Sequence, residues 1–215
     1  MNQGNILADK VRVILASASP RRDELLRQIG FVPEIMPSQV EEVVTSSEPA
    51  QVVMELSSQK AGEVAERVSE QEKMSARAVT EVALKEKRPV VVIGSDTVVS
   101  IDGKILGKPA DRADAAAMLR SLQGRSHHVY TGVTLICGER RRTFASETEV
   151  EVYPMAEEEI ESYLDSGDSM DKAGAYGIQG RFAAHIRGIH GSYTNVMGLP
   201  VGRLYQELRE MLAND

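Results

Sequence analysis

Three apolar runs, separated by segments of helical periodicity, dominate the hydrophobic pattern of the chain. They are VRVILA at residues 11–16, PVVVIGS at 89–95 and VYTGVTLI at 129–136. Short apolar runs of this kind suit buried strands, and their alternation with helical segments predicts an α/β fold, a mixed β-sheet with flanking helices. Because no repeat or Pro/Gly-rich linker divides the sequence, we expect one domain over residues 1–215 or two closely packed lobes around a cleft.

The first apolar run leads into a predicted helix with two arginines in its first turn. Ser19 suits the N-cap, Pro20 suits the first helical position, and the apolar stripe ends at Gly30. The helix dipole and the free backbone N–H groups already favour an anion at this end, where Arg21 and Arg22 add positive charge. Ser19 and both arginines are therefore predicted to bind phosphate. The alternative is that the two acidic residues that follow neutralise a pair of surface arginines.

A buried strand followed by a tight hairpin is predicted over residues 90–109. The dipeptide Asp102-Gly103 in this segment is a strong two-residue turn signal. Counting outward from the turn pairs Thr97 with Lys108 and brings Asp96 close to Lys108 at the open end of the ladder. A carboxylate and an ammonium would meet there.

Two glycines adjoin this predicted pair. Gly94 and Gly107 leave room for a ligand beside Asp96 and Lys108. Strand ends in α/β sheets commonly bind ligands, which favours a functional pair. The alternative is a structural salt bridge.

Two further segments offer charged side chains. A helix beginning after Pro49 places Lys60 on its apolar face, where it either binds phosphate or extends its ammonium to solvent. Upstream, Glu41 and Glu42 are either simply solvated or near Asp96. In the second case Asp96 and Glu41 could hold a hard divalent cation, which typically uses one or two carboxylates plus phosphate oxygens.

A glycine-rich loop, DKAGAYGIQG, occupies residues 171–180. Gly174, Gly177 and Gly180 are spaced by three, which allows the backbone to approach a ligand closely. Gln179 carries a donor and an acceptor, so it either reads the edge of a base or braces the loop.

Composition restricts the classes of partner. With 25 Lys+Arg against 32 Asp+Glu the net charge is −7, which opposes loose binding to nucleic acid or anionic lipid. The single cysteine, Cys137, is predicted to be a buried hydrophobe and fits a reducing cytoplasm. The polar N-terminus MNQGNILADK predicts no signal peptide, and no apolar run reaches the ~20 residues of a membrane span. The mixed-sign stretch 66–88 predicts a solvated, peripheral helical extension.

Four segments in order resemble the Maf family of nucleoside triphosphate pyrophosphatases, in its dTTP/UTP branch. They are LASASPRRDELL, GSDTVVSIDGKILGKP, DKAGAYGIQG and, at 191–200, GSYTNVMGLP. The resemblance spans nearly the whole chain. It implies an elongated α/β fold similar to inosine triphosphate pyrophosphatases, with a deep nucleotide cleft. It also implies hydrolysis of dTTP and UTP between the α- and β-phosphates, with a divalent cation, Mg or Mn.

The resemblance implies roles for individual residues. Asp96 matches the proton acceptor of the family, and Arg21, Thr97 and Gln179 match positions that influence substrate choice. The phosphates would be bound by the cations Arg21, Arg22, Lys60 and Lys108, and we expect the arginines and Lys108 to contact phosphate rather than brace the fold.

The amide of Gln179 and the methyl of Thr97 suit a pyrimidine, so we expect dTTP and UTP to be preferred over 7-methyl-GTP. The family has been associated with arrest of septum formation, so the alternative is a nucleotide-sensing regulator of cell division that does not hydrolyse. The sequence leaves the oligomeric state open, with a homodimer as one alternative.

Overall fold

A long mixed β-sheet forms the centre of the molecule. The computed structural model describes residues 5–76 and 88–213. The strands are β1 (Arg12–Leu15), β2 (Glu34–Ile35), β3 (Val90–Ile101), β4 (Lys104–Leu106), β5 (Ser126–Cys137), β6 (Arg140–Val152) and β7 (Ile186–His190). Within the described residues their order is β2-β1-β3-β5-β6-β7, and β4 pairs with β3. Because β1 is parallel to β2 and β3 while the other pairs are antiparallel, the predicted mixed sheet is confirmed.

Helices cover both faces of the sheet. They are α1 (Pro20–Gln28), α2 (Pro49–Ala76), α3 (Arg112–Leu122), α4 (Glu157–Asp165), α5 (Tyr193–Val196) and α6 (Val201–Ala213). As predicted, α1 begins at Pro20 and the chain turns at Gly30, where φ is +88°. Helix α2 includes the first part of the charged stretch, residues 66–76, and residues 77–87 of that stretch lie outside the described residues. Among the described residues, none of the helices is both long and apolar enough to cross a bilayer.

Successive residues of β1 and β3 point into different cores. Leu15 and Ile93 pack with α1 and α6, whereas Ile14 and Val92 pack against α2 on the other face. The far half of β3, from Val99, packs with α3 and α4 in a third cluster. Strand β3 therefore passes from one group of helices to another.

Along one edge of β3, the neighbouring strand changes from β1 to β4 midway along its length. On one side it pairs with β5 from Val92 to Ser100, whereas on the other side β1 pairs only as far as Ile93 and β4 only from Val99. Asp96 lies in this gap. The prediction that Asp96 lies at the end of a strand is therefore wrong, because the strands that end there are its neighbours.

The hairpin has the predicted register only next to its turn. Ile101 pairs with Lys104 and Val99 with Leu106, as the sequence predicts. The ladder ends at Leu106, so the predicted pairing of Thr97 with Lys108 is wrong.

Two glycines let α2 approach the sheet closely. A Cβ at Gly94 would overlap the carbonyl oxygen of Ser57, and a Cβ at Gly132 would overlap that of Val53. Gly94 therefore serves helix packing, and its predicted role of leaving room for a ligand is wrong. Gly132 lies opposite Asp96 in the ladder, so the same close approach brings α2 towards Asp96.

Candidate active site

A cleft of about 430 Å³ opens at the gap between β1 and β4. Five cationic and three acidic side chains line it, so the cleft is locally positive although the net charge of the whole chain is −7. The charged lining consists of Arg21, Arg22, Lys60, Lys108, Lys172, Glu42, Asp96 and Asp171, and the apolar lining includes Val99, Val129, Tyr176, Ile178 and Met197. Ser19, Thr97 and Gln179 also line the cleft.

Asp96 is paired with Lys60 and not, as predicted, with Lys108. The Nζ atom of Lys60 lies 2.5 Å from Oδ1 of Asp96 and 2.8 Å from Oε1 of Glu42. Both Asp96 and Lys60 are largely buried, and Lys60 directs its ammonium at two carboxylates rather than at open solvent. The alternative of a simple surface lysine is therefore wrong.

Glu42, rather than its neighbour Glu41, is the carboxylate that joins Asp96 in the cleft. Glu42 is turned towards Lys60, whereas Glu41 is exposed and lies outside the cleft lining. The prediction that Glu41 lies beside Asp96 is wrong, because an irregular segment has no period that fixes which side chain points inward. Whether a metal binds there stays a prediction.

Arg22 is half-buried and hydrogen-bonded to three separate parts of the chain. Its Nε donates to the carbonyl of Gly198 (2.9 Å), its Nη1 to Oγ of Ser17 (3.0 Å) and its Nη2 to Oγ1 of Thr97 (3.2 Å). Burial lowers the pKa of Arg22, while the charge of Asp96 opposes that shift. The expectation that Arg22 does not brace the fold is wrong, because these bonds tie α1 to β3 and to the turn at Gly198.

Arg21 reaches across the cleft to the glycine-rich loop. Its Nη1 lies 3.0 Å from Oδ2 of Asp171. Asp23 pairs with Arg27 instead, so it does not neutralise the two arginines. Ser19 is at the N-cap but makes no side-chain cap bond, which leaves its hydroxyl available to the cleft.

Asp171 and Lys172 belong to the site but were not among the predicted site residues. Lys172 donates to Asp168 (2.7 Å) and to Asp171 (2.6 Å). Burial alone would raise the pKa of Asp171, but the hydrogen bonds from Lys172 and Arg21 lower it to about 2. The ion pair of Asp168 and Lys172 lies in the irregular segment after α4, where the i, i+4 spacing of a helix does not apply, so no local pattern in the sequence indicated it.

The three glycines of the loop accommodate protein side chains. A Cβ at Gly174 would crowd the side chain of Val99, one at Gly177 that of Lys172, and one at Gly180 that of Asp168. Packing against these side chains is by itself a reason for the three glycines, and close approach of this backbone to a ligand stays a prediction, since Gly177 also lines the cleft.

Two polar side chains of the cleft make no contact that would occupy them. Gln179 and Lys108 are exposed and make no hydrogen bond or ion pair with another residue in the described part of the chain. Gln179 therefore does not brace the loop, and Lys108 does not form the predicted structural salt bridge with Asp96. Both side chains are available to a ligand.

The segments that build this cleft match a known family. Residues 12–211 match the family model described as Maf-like protein. The chain belongs to the Maf family. It is 53% identical to a dTTP/UTP pyrophosphatase of Agathobacter rectalis, over 93% of this chain and 97% of that relative. It is 46% identical to a dTTP/UTP pyrophosphatase of Carboxydothermus hydrogenoformans (93% and 98% covered) and 44% identical to one of Bacillus mycoides (93% and 95% covered).

Proposed function

We propose that this protein is a nucleoside triphosphate pyrophosphatase that converts dTTP and UTP to the monophosphate and pyrophosphate. The observation that carries the proposal is the Asp96–Lys60 pair within a cleft lined by excess positive charge. The names of the relatives support the choice of base. We expect the reaction to occur in the cytoplasm, a reducing compartment that keeps a free thiol such as that of Cys137 reduced.

The cations of the cleft would bind and neutralise the triphosphate. Arg21 and Arg22 project from the first turn of α1, where the helix dipole adds to their attraction for phosphate. Lys108 approaches from the segment after β4, and Ser19 adds a hydroxyl. Positioning and charge stabilisation supply most of the rate in reactions of this class, so these residues bear on turnover as well as binding.

Asp96 would accept the proton of the attacking water. As the water oxygen bonds to phosphorus, its proton passes to the carboxylate of Asp96, and the phosphorus–oxygen bond between the α- and β-phosphates breaks. Lys60 holds Asp96 in place through a charge-assisted hydrogen bond. The pyrophosphate leaves with charge that the surrounding cations offset.

We propose that Mg or Mn assists the reaction. Asp96 and Glu42 suit such an ion, because their carboxylates converge on one ammonium and would jointly attract a cation. The described residues contain no cluster of three or more metal-ligating side chains, which fits a cation that takes its remaining ligands from phosphate oxygens and water. When bound, it would supply further charge neutralisation at the phosphates.

Gln179 is our candidate for recognition of the pyrimidine. Its amide is free to donate to O4 and accept from N3–H of thymine or uracil. A base that cannot hydrogen-bond this amide would bind more weakly, because the amide would lose its contacts with water without gaining a partner.

The test is pyrophosphate release from dTTP, UTP and 7-methyl-GTP. We expect much higher kcat/KM for the two pyrimidine nucleotides, and we expect Thr97→Gln combined with Gln179→Glu to shift the ratio towards 7-methyl-GTP. A wild-type preference for 7-methyl-GTP would contradict the base assignment. Binding of dTTP without release of pyrophosphate would instead favour the sensor.

A further inference from the structure

Two threonine hydroxyls form a buried hydrogen bond beneath the cleft. Thr97 on β3 lies opposite Thr131 on β5, and their Oγ1 atoms are 2.9 Å apart. Thr131 is fully buried and also donates to the carbonyl oxygen of Asn195 (2.9 Å). Thr97 in turn receives the hydrogen bond from Arg22.

The two ends of this chain of groups fix the direction of every hydrogen bond in it. A carbonyl oxygen only accepts, so the single hydroxyl hydrogen of Thr131 is committed to Asn195. Thr97 must therefore donate to Thr131. The guanidinium of Arg22 only donates, so the oxygen of Thr97 is its acceptor. The hydroxyl hydrogen of Thr97 is thus engaged within the protein and cannot be donated to a nucleobase.

The chain of hydrogen bonds determines what Arg22 offers to a ligand. A guanidinium has five N–H groups. Three of the N–H groups of Arg22 donate to Gly198, Ser17 and Thr97. One N–H group on Nη1 and one on Nη2 are left for a ligand. Because the three acceptors lie in different segments, they hold the plane of the group. Two N–H groups on a fixed plane suit two oxygens of one phosphate.

We propose that Thr131 is a positioning residue for triphosphate binding, which acts through the hydroxyl of Thr97 to orient Arg22. Thr131 does not line the cleft, so it can act on the substrate only through its neighbours. One route leads through Thr97 to Arg22, and the other leads through Asn195 to Val196 and Met197 of the cleft wall; an Arg22→Ala background separates the two. Thr97 has two functions, because its hydroxyl holds Arg22 while its methyl remains for contact with the base. The inference rests on the proposed function for the identity of the ligand.

The experiment measures binding of α,β-methylene-dTTP by calorimetry, so it does not depend on hydrolysis. Thr131→Val keeps the shape of the side chain and removes the hydroxyl, and we expect it to weaken binding about tenfold, the size of a hydrogen bond that orients a charged group. Thr131→Ser, which keeps the hydroxyl, should restore most of the affinity. In an Arg22→Ala background, Thr131→Val should have no further effect.

A second buried threonine on the same strand supplies the matched control. Thr134 is also fully buried and bonds to Ser57 and Thr143, and it makes no contact with the Arg22 chain. Thr134→Val should lower the melting temperature as Thr131→Val does, but leave the affinity for α,β-methylene-dTTP unchanged. Equal weakening by both valine variants, or an undiminished effect of Thr131→Val without Arg22, would overturn the inference. If the wild-type protein binds the analogue but does not hydrolyse dTTP, the proposed function fails. The role of Thr131 is then still tested, because it depends only on how tightly the variants bind the analogue.

Discussion

His127 is a fully buried imidazole whose protonation the fold opposes. Its Nε2 lies 2.7 Å from the hydroxyl of Tyr176, a residue of the cleft wall, and its Nδ1 has no partner among the described residues. Burial, and to a smaller extent the neighbouring His128, lowers the pKa of His127 from 6.5 to about 4. The folded protein therefore keeps this imidazole neutral where the unfolded chain already binds a proton.

Stability should consequently fall as the pH falls through this interval. Between pH 6.5 and about pH 4 the unfolded state binds the extra proton, so acid favours unfolding. From about pH 7.5 to pH 5 we expect His127 to remove about 2 kcal/mol from the free energy of unfolding. Denaturant titrations at the two pH values measure this loss. It should shrink in His127→Gln, and an equal loss in that variant would contradict the assignment.

Individual site residues could be predicted from sequence better than their partners could. Asp96, Lys60 and Arg22 all line the cleft as expected, because local patterns indicated them. The contacts that hold them, such as the bond from Arg22 to Gly198, join residues far apart in sequence and depend on tertiary packing. Sequence could not distinguish Glu41 from Glu42, because neither residue lies in a regular element whose period fixes the direction of its side chain.

At the scale of elements, the packing of α2 on β3 and β5 brings Lys60 to Asp96. Gly94 and Gly132 remove the side chains that would hold the helix away from the sheet. Lys60 lies one turn beyond Ser57, the residue whose carbonyl contacts Gly94, and so reaches Asp96. The apolar runs predict the positions of β1, β3 and β5 because such runs are local signals, whereas β6 and β7 carry no such run and the close approach of α2 depends on where a helix docks.

Enlarging Gly94 should therefore damage both fold and site. We expect Gly94→Ala to lower the free energy of unfolding by about 1–3 kcal/mol, because the added methyl meets helix backbone. It should also lower kcat/KM by displacing Lys60. Gly202→Ala is the control, since a Cβ there meets nothing within 4 Å and the residue lies in a helix. Thermal unfolding and dTTP hydrolysis measure the two effects, and wild-type behaviour of Gly94→Ala would refute the role of α2 packing.

For the whole molecule, the distribution of charge matters more than its total. The chain carries −7, yet the cleft concentrates five cations. The net charge from composition could not locate the basic site, because its cations come from four separate segments of the chain. The likeness to inosine triphosphate pyrophosphatases, the division into one domain or two lobes, and the homodimer stay predictions.

Substrate binding should therefore depend on salt. Raising NaCl from about 0.05 to 0.5 M shortens the screening length, so the KM for dTTP should rise several-fold. Lys108 has a free, exposed ammonium in the cleft, so Lys108→Gln should make this dependence shallower. Steady-state kinetics at several salt concentrations give the slopes. A KM that does not change with salt would be incompatible with a cleft that binds phosphate mainly by charge.

The most direct test of the account is the pair of binding and turnover measurements on Asp96→Asn. The substitution keeps the shape of the side chain but removes a carboxylate able to accept a proton from water. We predict that kcat for dTTP falls by about 10²–10⁴, while the Kd of α,β-methylene-dTTP stays within a few-fold of wild type. Hydrolysis of dTTP by Asp96→Asn at the wild-type rate would contradict the account.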